Sequence, residues 1–243
     1  MGAALLGIPA IVEVYSRVSS LTIGPDDDGV FIMDAPSQGW DGIKTATVVF
    51  HGAGGQDENT DALRKALQKT DNKYSFSTII DWSNYSTNLF QASFNGQTIG
   101  RFIADQLVSK APLIERVHVI GISVGAFGCT TCVERIKLLC PKIYVQQTLL
   151  DPFCQRGIFD VGYGERSFGA SADYAQQYVN TDDPVPSTNS PLTKCVVYDV
   201  TSLRPREVFG HDWPLIYYTR QAKVGFVAIK DKGQRGSVKR IDQ

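Results

Sequence analysis

The segment Val117–Ala126 reads VHVIGISVGA and joins a short apolar run to the pattern G-x-S-x-G. The apolar residues before Gly121 predict a buried strand, and the apolar periodicity after Gly125 predicts a helix that ends before Pro141. A serine between two glycines at a strand-to-helix junction lies in a tight, strained turn, where a side chain at either glycine would collide with its neighbours. The segment therefore predicts that Ser123 is a nucleophile at the carboxyl edge of a sheet; the alternative is an ordinary glycine-rich turn.

Strands and helices alternate on both sides of this segment. The wholly apolar run Ala46–Phe50 is typical of a strand that is covered on both faces, as in parallel sheets. Further strands are predicted at 78–81, 117–122, 143–150, 174–180 and 195–200, and helices at 61–69, 94–110, about 125–140 and about 211–222. This order predicts an α/β fold with a mostly parallel sheet of about eight strands, flanked by helices.

Both ends of the chain depart from this alternation. Val14–Ile23 alternates loosely between apolar and polar residues, a stretch of turn residues follows, and Val30–Met33 is apolar again, which predicts a hairpin. The tail from Lys230 onwards is polar and basic, which predicts a frayed terminus, with weak attraction to anionic lipid as the alternative. We therefore expect a single domain over residues 1–229 and a basic tail over residues 230–243.

The composition excludes several classes of protein. Of the 243 residues, 43% are hydrophobic and 20% are charged, which predicts one domain with a substantial core. The formal net charge of -1 provides no overall field for a polyanion, so a nucleic-acid partner is not expected. The apolar stretches fall short of the roughly 18 to 20 residues that cross a bilayer, so any contact with a lipid surface is expected to be peripheral. Compartment and oligomeric state have no signal in the sequence.

The five cysteines do not form a metal-binding pattern. Cys129 and Cys132 make one C-x-x-C, but the second pair or the histidines of a zinc site are missing at any usual spacing. An odd number of cysteines in a chain of this length is also unlike a disulfide-rich scaffold. We therefore expect structural thiols and no metal.

A pocket that stabilises an oxyanion is expected beside Ser123. The residue after the serine, Val124, supplies one backbone N–H group. The glycine-rich segment His51–Gly55 follows a predicted strand, so its amide groups can face a ligand, and Ala53 is the expected second donor. The segment lacks the G-x-x-x-x-G-K-[ST] pattern of a phosphate-binding loop, and acyl transfer explains it better.

A histidine and a carboxylate would complete such a site. His211 follows the last predicted strand, where the chain order serine, acid, histidine requires the base, whereas His51 lies beside the oxyanion turn and His118 lies within a strand. Two aspartates end predicted strands at the same edge of the sheet, Asp151 in Leu-Asp-Pro and Asp183 in Asp-Asp-Pro-Val-Pro. The residue pattern does not choose between these two acids.

Several spaced motifs resemble those of the pancreatic-lipase-like family of α/β-hydrolases. They are His51–Gly52 after a strand, Ile80–Ser83, Asn95, Ile99–Gly100, Ile103–Ala104 through Leu107, Gly121–Ala126, Leu150–Pro152, His211 and Tyr217–Tyr218. The resemblance covers roughly residues 51–218 and implies an α/β-hydrolase fold in which the serine is the nucleophile and the histidine is the base. It also implies that the acid is the aspartate of the Leu-Asp-Pro motif, Asp151.

The chain departs from this family at three points. Ile122 and Val124 stand where the family usually has His and Leu, and Asp182–Pro186 resembles the acid loop of fungal class-3 lipases, which keeps Asp183 as a second choice. Only ten residues, Thr201–Gly210, separate the last predicted strand from the histidine, so a minimal lid is expected and the C-terminal lipid-binding domain is expected to be missing. A more open site would favour short-chain esters, or the acyl chains of phospholipids and galactolipids, over bulk fat.

We therefore expect a serine carboxylic-ester hydrolase of the lipase or esterase type that acts on a small-molecule ester or lipid through an acyl-enzyme and needs no cofactor. A thioesterase, a peptidase or an acyltransferase could use the same triad, because fold and triad do not fix the acyl acceptor. A non-catalytic lipid-binding or scaffold protein on a hydrolase fold is the alternative from another class.

Overall fold

The computed structural model describes residues 2–24, 36–37, 39–220, 224–228 and 233–242. In these residues seven strands form one sheet in the order β2-β1-β3-β4-β5-β6-β7, and every neighbouring pair is parallel. The strands are β1 (Thr45–Phe50), β2 (Ser75–Ile80), β3 (Arg116–Ile122), β4 (Tyr144–Leu150), β5 (Tyr174–Val179), β6 (Val196–Asp199) and β7 (Val238–Arg240). The helices are α1 (Gly2–Leu21), α2 (Glu58–Gln68), α3 (Ser83–Ser86), α4 (Leu89–Lys110), α5 (Ala126–Leu139), α6 (Tyr163–Ser167) and α7 (Trp213–Arg220). The structure confirms the predicted α/β fold, with seven strands in the described residues where the sequence predicts about eight.

Helices cover both faces of the sheet. Along β1, the side chains of Val48 and Phe50 enter the hydrophobic cluster beneath α4 and α5, whereas Val49 between them enters the cluster beneath α2 and α7. Successive residues of a strand point to opposite faces, so a strand with three apolar residues in a row must be covered on both faces. The apolar run Val48–Phe50 of β1 is therefore the sequence pattern that predicts this three-layer arrangement.

The strand order reverses once, between β1 and β3. From β1 the chain crosses to β2 on one side and then returns to β3 on the other side. The loops that leave the carboxyl ends of β1 and β3 consequently run in opposite directions and leave a crevice between them, which is where open α/β sheets bind ligands. His51 follows β1 and Ser123 follows β3 at this crevice.

The N-terminal segment is a helix, so the predicted hairpin is wrong over Val14–Leu21. Glu13, Ser16 and Ser20 are buried on the inward face of α1, and a row of large apolar residues faces outwards. The outward residues are Ile8, Ile11, Val14, Tyr15 and Val18. These outward residues recur at the period of a helix. The sequence did not predict the helix, because the inward positions carry polar residues and the pattern resembles a loose alternation. The predicted return strand Val30–Met33 lies outside the described residues.

Buried polar contacts attach α1 to the domain. The Glu13 carboxylate accepts a hydrogen bond from the backbone amide of Ile158 at 2.7 Å and pairs with Arg17 at 2.8 Å.

Among the described residues, no helix combines the length and the apolar character needed to cross a bilayer.

The C-terminal tail contributes a strand, which contradicts the predicted frayed terminus. Val238–Arg240 pairs with β6, and Gly236 donates its amide to the carbonyl of Cys195 at 2.8 Å. Arg235 also donates to the carbonyl of Gly169 at 2.7 Å. The sequence did not predict this strand because its side chains are exposed and polar. Its pairing satisfies the backbone groups of β6, which would otherwise form the edge of the sheet.

Three helices, α2, α4 and α7, begin at residues other than those predicted, and α2 begins at Glu58 instead of Asp61. The α4 helix begins at Leu89 instead of Phe94, because the Asn88 side chain accepts hydrogen bonds from the amides of Phe90 and Gln91 at 3.2 and 3.3 Å and caps the helix. The last helix, α7, begins at Trp213, which leaves His211 in the preceding turn.

Candidate active site

Ser123 occupies a strained turn between β3 and α5. Its φ is +50°, a left-handed conformation that is uncommon for residues other than glycine. A Cβ at Gly125 would lie 2.3 Å from the carbonyl oxygen of Phe50, and a Cβ at Gly121 would lie 2.7 Å from the Cβ of Cys129. Glycine is therefore required at both positions, and the strand before the serine and the helix after it fix the shape of the turn.

The loop after β1 lies directly against this turn. A Cβ at Gly52 would be 3.3 Å from the Cβ of Ser123, so the backbone here passes the serine side chain closely. Ala53, the next residue, is exposed, and Val124 is fully buried under the serine turn. The two predicted oxyanion donors therefore belong to the two chain segments that border Ser123.

His51 has a structural role at the start of this loop. Its imidazole is fully buried, Nδ1 donates to the carbonyl of Gly52 at 2.8 Å, and Nε2 accepts the amide of Trp82 at 3.2 Å. The indole of Trp82 in turn donates to the backbone carbonyl of His51 at 3.1 Å. Burial lowers the pKa of His51, so both nitrogens serve a neutral imidazole that anchors the loop.

His118 is a second buried histidine, within β3. Its Nε2 lies 2.7 Å from the hydroxyl of Thr148, and burial lowers the pKa of His118 to about 3. This imidazole is neutral and belongs to the interior of the sheet, in agreement with its predicted place inside a strand.

His211 contacts both candidate acids. Its Nδ1 lies 2.8 Å from Oδ2 of Asp151 and 2.8 Å from Oδ2 of Asp183. The aspartates are shut off from solvent, with side chains 1% and 0% exposed, whereas the His211 side chain is 17% exposed. Because Nδ1 is engaged by the carboxyls, Nε2 is the nitrogen that can exchange a proton with a substrate or a nucleophile.

Asp151 and Ser123 come from neighbouring strands that end together. Ile122 of β3 pairs with Leu150 of β4, so the next residue of each strand emerges at the same edge. Both residues have a positive φ, and the amide of Phe153 donates to the carbonyl of Ser123 at 3.1 Å. This hydrogen bond ties the loop that carries Asp151 to the serine turn.

Neutral donors hold both carboxyls. Asp151 accepts the backbone amide of Asn180 at 3.1 Å, while Asp183 accepts the hydroxyl of Thr188 at 2.6 Å and the amide of Val185 at 3.1 Å. No motif in the sequence points to Asn180 or Thr188 as site residues. These two residues reach the aspartates only because the loop after β5 folds back on them, and a loop has no periodic pattern in the sequence.

Burial and mutual contact shift the pKa of all three groups. Burial raises the pKa of Asp151 to about 8, and the adjacent Asp183 adds to this rise. Burial also acts on Asp183, but hydrogen bonds from Asp151, Thr188 and the Val185 amide outweigh it and hold the pKa of Asp183 below its usual range. Burial alone would lower the pKa of His211, but the hydrogen bond to Asp151 and the charges of both carboxyls raise it.

The same three side chains form the one group in the described residues whose ligand atoms are close enough to share a metal ion. One atom from each of Asp151, Asp183 and His211 lies within 4.8 Å of the others. Hydrogen bonds from a single nitrogen to two carboxyl oxygens account for this proximity.

The cysteines do not contribute to the site. All five lie in the described residues and are free thiols. Burial raises the pKa of Cys154 and of Cys195 to about 12, so both thiols stay protonated and unreactive.

No protein-family model matches this chain, and no curated protein sequence matches it. Among solved structures, the chain is similar to lipase B of Aspergillus fumigatus, with 12% identity and a TM-score of 0.40, over 69% of this chain and 46% of the lipase. It is also similar to a lipase-esterase related protein from Clostridium acetobutylicum, with 10% identity and a TM-score of 0.46, over 79% of this chain and 94% of the other. The chain thus spans less than half of the length of the Aspergillus lipase. The seven-stranded parallel sheet, its flanking helices and its single reversal of strand order make the fold an α/β-hydrolase fold.

Proposed function

We propose that this protein is a serine hydrolase that cleaves carboxylic esters through an acyl-enzyme. The observation that carries the proposal is the edge of the sheet where Ser123 stands in a left-handed turn at the end of β3, next to the strand end that holds Asp151 and, through it, His211. A strained serine, an imidazole and a buried carboxyl at one sheet edge are the parts that acyl transfer requires.

In the first half of the reaction, Ser123 Oγ attacks the ester carbonyl carbon while His211 Nε2 takes the hydroxyl proton. The charge that develops on the carbonyl oxygen is stabilised by the backbone amides of Val124 and Ala53. The tetrahedral intermediate then breaks its bond to the alkoxy oxygen, and His211 returns the proton to the leaving alcohol. The product is an ester between Ser123 and the acyl group.

In the second half, water replaces the alcohol. His211 takes a proton from the water, the hydroxide attacks the acyl carbon, and the bond to Ser123 Oγ breaks with return of the proton to the serine. The carboxyls that hold Nδ1 keep the imidazole oriented in both halves and stabilise its charged form.

The short segment between β6 and His211 supports an open site. It contains one 3₁₀ turn, Thr201–Leu203. Arg204 holds the rest of the segment in place, because it pairs with Asp182 at 3.0 Å and donates to the carbonyl of Val208 at 2.8 Å. We propose that small esters, or single acyl chains of membrane-type lipids, reach Ser123 without a lid movement.

The test is a comparison of wild type with Ser123→Ala on p-nitrophenyl esters from acetate to palmitate. We expect the substitution to lower turnover by about three or more orders of magnitude with an unchanged unfolding temperature. Ser109→Ala is the matched control, because Ser109 is an exposed serine near the C-terminal end of α4, and this variant should be fully active. A fluorophosphonate should label the peptide that contains Ser123, and an active Ser123→Ala protein would refute the proposal.

The same proteins, assayed also with thioesters, amides and a second alcohol as acceptor, separate the rival functions. A thioesterase, peptidase or acyltransferase would label at Ser123 but prefer thioesters, amides or a second alcohol as substrate or acceptor. A non-catalytic protein on this fold would neither label nor turn over any of these compounds.

A further inference from the structure

Two carboxyls occupy the place that one acid fills in a serine-histidine-acid site. Asp151 Oδ2 and Asp183 Oδ2 each lie 2.8 Å from the same nitrogen of His211, and both side chains are buried. An imidazole Nδ1 carries a single hydrogen, so the two oxygens share it. Neither distance favours one aspartate as the acid.

Two ionised carboxylates this close together in a buried site repel each other. Where carboxyls share such a site, one of them retains a proton, and the pair titrates as a unit. The contact between the two carboxyls raises the pKa of Asp151 and lowers that of Asp183, which favours the proton on Asp151 and the charge on Asp183.

The neutral donors around the pair also decide where the proton lies. Asp183 accepts two of them, the hydroxyl of Thr188 and the amide of Val185, whereas Asp151 accepts only the amide of Asn180. Hydrogen bonds to a carboxylate favour its charged form. The better-solvated charge therefore belongs on Asp183.

In the part of the chain that the structure describes, the other ionisable groups around the pair bring no free positive charge. Asp212 follows His211, Asp57 acts on Asp212 from the start of α2, and the Cys154 thiol after β4 is kept neutral by burial. Arg204 is held by Asp182 at 3.0 Å. Among the described residues, His211 is thus the cation that the pair can stabilise.

We propose that Asp151 and Asp183 work as one acid, in which they share a single proton and a single negative charge and jointly hold Nδ1 of His211. The inference rests on the proposed hydrolase function, and it assigns the role of the acid in the serine-histidine-acid site to the two aspartates together. When His211 takes the serine proton, its positive charge meets one negative charge, and the cluster becomes neutral. If one carboxyl is replaced by an amide, the charge settles on the other, so each aspartate is a positioning residue that can substitute for its partner.

The experiment compares Asp151→Asn, Asp183→Asn and the double variant with wild type. We expect each single variant to keep kcat/KM within about tenfold, and the double variant to lose about 10⁴-fold. Asp105→Asn is the matched control, because this carboxylate pairs with Arg135 at 2.7 Å between α4 and α5, is 44% exposed, and should leave kcat/KM unchanged. A single variant that loses as much as the double variant would identify one aspartate as the sole acid and overturn the pair, as would a double variant of wild-type activity.

The pKa of His211, measured by NMR titration of its ring, provides a readout that a purely structural role would not move. We expect it to stay raised in both single variants, because one charge remains, and to fall in the double variant, where burial acts unopposed. The acid limb of the kcat/KM profile should move to lower pH in the double variant only. If the double variant fails to fold, the single variants still decide, because a sole acid requires that one of them lowers the pKa of His211.

The titration also separates this inference from the proposed function. A wild-type protein that hydrolyses none of the esters and does not label at Ser123 would refute the hydrolase proposal. The response of the His211 pKa to the three variants would still support or overturn the shared pair.

Discussion

Gly125→Ala should destabilise this protein by about 3 kcal/mol, at the upper end of the usual cost of overpacking. The new methyl carbon would lie 2.3 Å from the carbonyl oxygen of Phe50 and 2.5 Å from that of His51. Non-bonded atoms pack at about 3.5 Å, so one of the two segments must move by about 1 Å. Phe50 belongs to β1, which is paired with strands on both sides and cannot move alone.

The assay is urea unfolding followed by circular dichroism, together with thermal unfolding. For a chain of this length, a loss of about 3 kcal/mol corresponds to a fall in Tm of about 6 to 12 °C. Gly42→Ala is the matched control, because its methyl group would meet only the carbonyl oxygen of Lys73, at 3.9 Å, and should cost little. A Gly125→Ala protein within about 0.5 kcal/mol of wild type would show that the serine turn is not fixed by β1.

Three further outcomes follow from the site. Ser123→Gly should abolish ester hydrolysis and yet raise stability by about 1 kcal/mol in urea unfolding. Glycine relieves a strain of about 1 to 3 kcal/mol at the positive φ, but part of this gain is lost because glycine increases the conformational entropy of the unfolded chain. A destabilised variant would contradict the strain. The pKa of Asp151 is about 8 in the folded protein against an ordinary 3.8, so the folded protein binds a proton that the unfolded chain releases, and this group makes stability fall as pH rises from about 4 to about 8. Asp151→Asn should flatten the dependence of Tm on pH over this window, and an unchanged slope would show that Asp151 is ionised in the fold. Incubation with EDTA should leave ester hydrolysis and Tm unchanged, whereas activity lost to EDTA and restored by a divalent cation would identify Asp151, Asp183 and His211 as metal ligands.

The centre of the fold could be predicted because its sequence signals are local. The apolar run of β1 requires cover on both faces, and the glycines on either side of Ser123 are required by contacts with the neighbouring strand and helix. These patterns depend on a few adjacent residues, so they can be recognised without knowledge of the tertiary structure.

The ends of the chain could not be predicted in this way. In α1 the buried face carries Glu13, Ser16 and Ser20. Glu13 accepts the amide of Ile158, which is distant in sequence, and Ser20 donates to the carbonyl of Arg17 within the helix. A pattern rule that expects apolar residues on the inward face therefore assigns the wrong period. Strand β7 is formed by backbone pairing with exposed side chains, for which the sequence has no periodic signal.

The acid was the open question of the candidate site. The resemblance to pancreatic-lipase-like enzymes favours Asp151, and the Asp-Asp-Pro-Val-Pro segment keeps Asp183 as the alternative. Both residues follow strands that end at one edge, and the structure brings both to the same nitrogen. Residue patterns could nominate the two aspartates but could not show that they meet, because their meeting depends on the loop after β5.

Strand β7 has a consequence for any shortened form of this protein. It is only three residues long and carries Lys239 and Arg240, two cationic side chains that discourage another molecule from extending the sheet there. A chain cut before residue 233 would end its sheet at β6 instead and leave the backbone groups that now pair with β7, along Val197, Tyr198 and Asp199, without partners. Such a fragment would offer an unpaired strand edge to its own copies, so its solubility would depend strongly on concentration.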